Sequence, residues 1–243
     1  VGVRDGESYR MLSGDQVGSL LGDFMLRRGI KGTYAASIVS SNVLGKQAAA
    51  YGQPFEQTLT GFKWIGKIPT LAFGYEEALG YSVAPHIARD KDGVSAIIRV
   101  LELAAELKAE GSTLVDRLND IAREHGLYAT GQLSVRVDDL SIISNAMQVL
   151  RTSPPTSLGG LAVESVDDLT HGFNGLPPTD GIYLSLQGGA RIICRPSGTE
   201  PKLKCYLEVI VAVDDSIEVA RVEGQRALDA IKRDLAIALG LNS

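Results

Sequence analysis

The stretch ARIIC at 190–194, RPSGTEPKLK at 195–204 and CYLEVIVAV at 205–213 decides how this chain reads. Two apolar, β-branched segments bracket a linker rich in turn residues, which is the pattern of a β-hairpin. A final helix is expected after Ser216, with Ala220, Ala227, Leu228, Ile231 and Leu235 on one stripe. Upstream, Leu133-Ser134-Val135-Arg136-Val137 alternates as a half-buried strand does, and a helix near 141–151 runs into Pro154-Pro155. Short strands are expected at 160–164 and 182–187, separated by the turn-rich NGLPPTDG at 174–181. Strand, helix, several strands and a helix predict an α+β domain, a mainly antiparallel sheet with helices on one face.

The first half has another grammar. A helix is predicted from Ser13 to Arg28, capped by Ser13, striped by Leu12, Val17, Leu20, Leu21 and Phe24, and ended by Gly29. Ser37-Ile38-Val39-Ser40 reads as a strand, and a short helix through Ala48–Ala50 stops at Gly52. Two glycine-punctuated segments follow, TGFKWIGK at 60–67 and LAFGYEEALGY at 71–81. After Asp92 and Gly93, the residues Val94, Ile97, Ile98, Leu101, Ala104 and Ala105 keep helical spacing until Gly111. Thr113 to Asp116 fits a capping box for the next helix, which Gly126 stops. Strands interleaved with helices predict a layered α/β domain, with the boundary near Ala129–Gly131.

The chain has 243 residues, 24 Lys+Arg against 29 Asp+Glu, and a formal charge of −5. That balance argues against a nucleic-acid partner. No run of 18 apolar residues, the length a membrane helix needs, is present, and VGVRDGESYR at 1–10 lacks the basic-then-apolar pattern of a secretion signal. Cys194 and Cys205 are the only cysteines, which excludes a disulfide scaffold and a four-thiolate zinc site. The expectation is a soluble, cytoplasmic protein without a membrane partner. Val1-Gly2-Val3 opens like the tail of a strand, so the chain is expected to be part of something longer.

Chemistry concentrates at three places. Arg195 offers a forked guanidinium, Ser197 and Thr199 offer hydroxyls, and Gly198 exposes its backbone N–H. Arg195, Lys202 and Lys204 outweigh Glu200, against the sign of the whole chain. These residues read as an oxyanion loop or as an ordinary tight turn with surface cations. The lack of a helix-opening GxxxxGK excludes a Walker loop. Glu76 and Glu77 read as sugar-hydroxyl acceptors, as a base, or as solvated acids. Lys63, among aromatics and glycines, is expected to have a fixed partner, Trp64 to be core, and His86 to be a surface or helix-entry histidine. Cys194 and Cys205 read as small buried apolar residues.

In order and spacing, RPSGTEPKLK, TGFKWIG, FGYEEALGY and RDKDGVSA resemble the C-terminal half of the α-D-phosphohexomutases, the phosphoglucomutase/phosphomannomutase family, over nearly the whole chain. The resemblance implies a tail of a metal-loop domain at 1–8, an α/β sugar-recognition domain at 9–128 and an α+β phosphate-binding domain at 129–243. It implies that Arg195, Ser197, Gly198 and Thr199, with Lys202, clamp a phosphate. Glu76, Glu77, Lys63, His86 and Lys91 would read the sugar. That family's phosphoserine loop and aspartate-rich Mg²⁺ loop do not occur in this sequence, so no catalytic or metal residue is assigned here, and the chain alone is expected to be inactive. The longer enzyme would use Mg²⁺ and a sugar 1,6-bisphosphate, moving phosphate between C1 and C6 of a phosphorylated hexose. Ala78 stands where many members have serine. That favours phosphopentomutase or sugar-bisphosphate synthase activity as the alternative, beside a non-catalytic phosphosugar-binding module.

Overall fold

Gly2–Asp5 (β1) and Ser8–Met11 (β2) pair antiparallel. In the computed structural model, which describes residues 1–214 and 216–241, this hairpin clusters with the first of two units, Val1–His125 and Gly126–Ser243. Residues 1–8, expected as the tail of another domain, thus pair with the segment that follows them. The units divide three residues before the expected 128/129 boundary, because Leu127 already pairs with Val211 in the second unit's sheet. Positions 215, 242 and 243 of the expected 129–243 domain lie outside the described residues.

In the first unit, Ser13 caps Gly14–Arg27 (α1) reciprocally. Its hydroxyl accepts the Gln16 N–H at 3.2 Å, and the Gln16 side chain accepts the Ser13 N–H at 3.0 Å. Then come Thr33–Ser37 (β3), Val43–Ala50 (α2), Phe55–Thr58 (β4), Phe62–Ile65 (α3), Leu71–Glu76 (β5) and Gly80–Ser82 (β6). Gly93–Ala109 (α4) and Leu114–His125 (α5) complete the unit. The sheet order is β4-β3-β5-β6, with the first three strands parallel and β6 antiparallel to β5. The strand expected at 37–40 lies instead at Thr33–Ser37. That strand is wholly buried, so TYAAS shows no alternation, whereas Ile38 and Val39 are buried in the turn beyond it. Tyr34, Phe73, Tyr75 and Tyr81 form a ladder across the sheet, with successive ring centroids 6.1, 6.1 and 6.4 Å apart.

The helix expected after Gly93 is present, and its apolar stripe faces solvent. Val94, Ile97, Ile98 and Leu101 are 71, 63, 52 and 63 % exposed, while Ala96, Leu103 and Leu107 face the core. The helix carries two apolar stripes, and periodicity alone does not say which one the core takes. In α5 the expected box is present: Asp116 accepts the Thr113 N–H at 3.0 Å and Thr113 Oγ1 accepts the Asp116 N–H at 3.1 Å.

The second unit consists of Leu127–Arg136 (β7), Leu140–Thr152 (α6), Ser157–Leu158 (β8), Leu161–Asp168 (β9), Ile182–Leu186 (β10), Arg191–Pro196 (β11), Lys202–Val211 (β12) and Ile217–Ala238 (α7). Its six strands run in the order β7-β12-β11-β10-β9-β8, all antiparallel. Helices α6 and α7 cover one face, where Met147, Leu150, Leu228 and Ile231 close over Ile192, Cys194, Leu203 and Cys205. This is the expected α+β architecture. Cys194 and Cys205 are free thiols directly opposite each other and fully buried.

Candidate functional site

The linker read as ten residues is shorter in the structure. Strands β11 and β12 continue inward until Arg195 faces Lys204 and Pro196 faces Leu203, leaving only Ser197–Pro201 as loop. The Ser197 N–H donates to the Lys202 carbonyl at 2.8 Å, which makes Pro196–Leu203 a non-hydrogen-bonded pair. A proline lacking its N–H costs the hairpin nothing there. Because Cys194, Leu203 and Cys205 point into the core, Arg195, Lys202 and Lys204 project from the opposite face. The neighbouring strand adds Arg136, paired in register with Lys202. Four cations therefore share one end of the sheet.

The loop itself carries one carboxylate, Glu200. Lys202 Nζ lies 2.9 Å from it and Arg136 Nη1 3.7 Å, and Lys202 holds that carboxyl below the ordinary glutamate range. Lys202, expected on the phosphate, is thus engaged by the loop's own acid. Arg136 is the contributor that local reading missed, since it becomes a neighbour only through β7–β12 pairing; its strand position had been legible, its company had not. Gly198 has an ordinary backbone conformation, and a Cβ built there meets nothing within 4 Å. No packing or turn geometry demands glycine at that position.

In the first unit, the β5–β6 hairpin presents Glu76 and Glu77, and the structure separates them. Glu76 Oε1 accepts the Gly61 N–H at 2.5 Å. Gly61, at φ +110°, holds a conformation that a side chain resists, and so opens α3 toward this carboxylate. Lys63 and Lys91 gather at the same end of the sheet. Lys63 Cε is 3.9 Å from the Cβ direction of Gly61, and Lys91 lies beside Gly80, the cross-strand partner of Glu76. The Lys91 ammonium sits 5.7 Å from the Phe62 ring centre. Lys63 does have a fixed neighbour, but it is aromatic: Trp64 carries Lys63 at 5.7 Å and Lys67 at 5.3 Å. Trp64 is half-buried and serves as a cation platform; Phe62 and Ile65 supply the core contact expected of it.

Glu77 turns inward. Its Oε2 accepts from Ser40 Oγ at 3.1 Å and Ser37 Oγ at 3.4 Å, and its N–H donates to Ser40 Oγ. Burial, and then the charges of Asp15 and Glu76, push its carboxyl above the ordinary glutamate value against these hydrogen bonds. Glu77 is therefore a prop of the hairpin rather than an exposed acceptor. The native state holds this proton to higher pH than the unfolded chain, so this group's contribution to stability falls as pH rises through the window between the two values. Glu77→Gln, which keeps an acceptor oxygen for the serines, is expected to flatten that part of the stability–pH curve. Urea denaturation across mildly acidic to neutral pH would check it, and an unchanged slope would count against the assignment.

His86 is not brought to Glu76. Because β6 runs antiparallel to β5, the chain beyond Ser82 returns to the strand's opposite end, where His86 lies with Leu71 and Ala72. His86 thus lines a different part of the unit from Glu76. Among the described residues, no group of three His, Cys, Asp or Glu side chains is placed to hold a metal ion, so no step through Mg²⁺ is assigned to them. Likewise, no described helix is long and apolar enough to cross a membrane.

The chain has relatives of known family. Residues 13–123 match the family model described as phosphoglucomutase/phosphomannomutase, alpha/beta/alpha domain III. A probable phosphomannomutase of Haemophilus influenzae is 44 % identical over 212 residues, covering 86 % of this chain and 43 % of that protein. A phosphopentomutase of Mus musculus is 32 % identical over 240 residues, covering 85 % of this chain and 38 % of its own length. Among solved structures, parafusin, a phosphoglucomutase of Paramecium, superposes with a TM-score of 0.68 at 20 % identity over 96 % of this chain and 43 % of that one. The chain thus spans about two fifths of the length of these relatives. It belongs to the α-D-phosphohexomutase family, the phosphoglucomutases and phosphomannomutases, and corresponds to their C-terminal half.

Proposed function

We propose that this chain is the substrate-binding half of a phosphosugar mutase, in which the second unit clamps the phosphate that is not reacting and the first reads the sugar. The observation that carries the reading is the end of the β11–β12 hairpin. Arg195, Lys204 and Arg136 surround a loop whose glycine has no structural reason to be glycine. An exposed N–H beside a guanidinium recognises a phosphate dianion without regard to the hydroxyl that carries it. A mutase that moves phosphate between C1 and C6 through a phosphoserine and a bisphosphate needs that indifference, because the intermediate must bind in both orientations. Glu76, with Lys63 and Lys91 nearby, would accept sugar hydroxyls in either pose. Phosphoserine and Mg²⁺ would come from polypeptide outside this sequence.

A pentose or bisphosphate-synthase substrate is the second reading, favoured by Ala78, which gives the sugar loop no hydroxyl after its paired glutamates. Turnover of glucose 1-phosphate, mannose 1-phosphate and ribose 1-phosphate by the longer enzyme would separate the two.

The decisive test uses a pair of variants. Arg195→Ala removes a charge-assisted contact of about 1.5–3 kcal/mol and is expected to weaken glucose 1,6-bisphosphate binding about ten- to a hundredfold by calorimetry. Gly198→Ala should leave the melting temperature unchanged, since its methyl meets open space, yet weaken binding by about fivefold or more by blocking the N–H. Bisphosphate binding unaffected by both changes would remove the clamp.

A further inference from the structure

At the end of the first unit's sheet opposite Glu76, a cavity of about 580 Å³ opens between the C-terminus of α1, the start of β5 and the segment after β6. Its floor is apolar, formed by Phe24, Met25, Leu71 and Val83, each at most 8 % exposed. Its rim is formed by the cations Arg28, Lys31, Arg89 and Arg99 together with His86, and among the described residues no aspartate or glutamate lines it.

Two carboxylates outside the lining offset part of this charge. Glu106 lies 2.9 Å from Arg28 and is shared with Arg27, and Glu102 lies 2.7 Å from Arg99. Arg89 is fixed by the carbonyls of Ile68 and Pro69, each at 3.3 Å, which orient a guanidinium without neutralising it. Lys31 forms no ion pair among the described residues. An excess of positive charge over low-dielectric walls is the reverse of the chain's overall balance of −5, and such a cleft concentrates anions. An inorganic ion would use only the rim, and a neutral apolar molecule only the floor.

We propose that this cavity binds an amphipathic organic anion, an acidic group such as a phosphate monoester carried on an aromatic body. The acidic group would lie among Arg28, Lys31, Arg89 and Arg99, and the body on Phe24, Met25, Leu71 and Val83. The proposal goes beyond the mutase reading, which uses none of these residues, and either can fail without the other.

The test titrates the chain with 8-anilinonaphthalene-1-sulfonate, an aromatic sulfonate whose fluorescence rises on transfer to an apolar site. Competition follows with adenosine 5′-monophosphate and with inorganic phosphate. The doubly substituted Lys31→Glu, Arg99→Gln chain is expected to bind the dye about tenfold more weakly, while Arg195→Ala binds it as the parent does. The nucleotide should displace the dye at concentrations where inorganic phosphate does not. Equal dye affinity in the double variant would overturn the proposal, since dye held on the exposed α4 stripe would behave that way. Displacement by inorganic phosphate as effective as by the nucleotide would overturn the role of the floor. Should the double variant fail to fold, Lys31→Glu alone, at an exposed position, gives the same contrast, with loss of dye affinity expected and an unchanged affinity overturning the site.

Discussion

Glu208→Ala is expected to lower the unfolding free energy of the second unit by about 3–5 kcal/mol. Glu208 and Arg191 face each other across β12 and β11, 2.9 Å apart, with side chains 2 and 4 % exposed, and Tyr183 also touches the guanidinium. Removing the carboxylate leaves a guanidinium buried with too little compensation, and arginine cannot escape by losing its proton. The loss is therefore a desolvation cost, more than the worth of one contact. Replacing both partners, Arg191→Met with Glu208→Leu, should recover most of it, because an apolar pair of similar size carries no charge to strand. Urea denaturation of the three variants would show this. A loss below about 1 kcal/mol in the single variant would mean that water reaches the pair.

The second large effect is expected at Gly14, where α1 begins. A Cβ built on this residue falls inside contact distance of the Glu77 carbonyl oxygen and 2.6 Å from its carbonyl carbon. The Tyr81 hydroxyl donates to the Gly14 carbonyl at 3.0 Å, tying helix start and β5–β6 hairpin together. Since the obstruction is backbone, no rotamer change relieves it, and Gly14→Ala should cost about 3 kcal/mol or more. On the proposed function, displacing the hairpin that carries Glu76 should also lower sugar-phosphate affinity. Gly93→Ala is the control, since its methyl meets nothing within 4 Å at the start of α4 and should leave thermal stability near that of the parent. Comparable melting temperatures for the two variants would show that α1 can shift away from the hairpin.

Local rules reached far in this chain. Ser13 and Thr113 announced their helices through capping chemistry that the structure shows atom by atom. The 190–213 segment announced its hairpin, and Cys194 and Cys205 their burial. Such signals travel well because a cap or a tight turn is settled by residues a few positions apart. The failures share the opposite property. Trp64 looked like core, but in the single turn of α3 Phe62 and Ile65 took that role. The apolar stripe of α4 was real yet points outward.

By itself the sequence determined the kinds of elements, their caps, the order of an α/β unit and an α+β unit, and the loop on which an anion-binding reading rests. Only tertiary structure decided the company each side chain keeps. Pairing of β7 with β12 brought Arg136 to Lys202 and set four cations at one sheet end, while folding of the β5–β6 hairpin divided two adjacent glutamates between an open site and a buried serine cluster. The physical reason is that propensity and capping act within a turn or two of chain, whereas charge and burial depend on whatever the rest of the fold brings within a few ångströms.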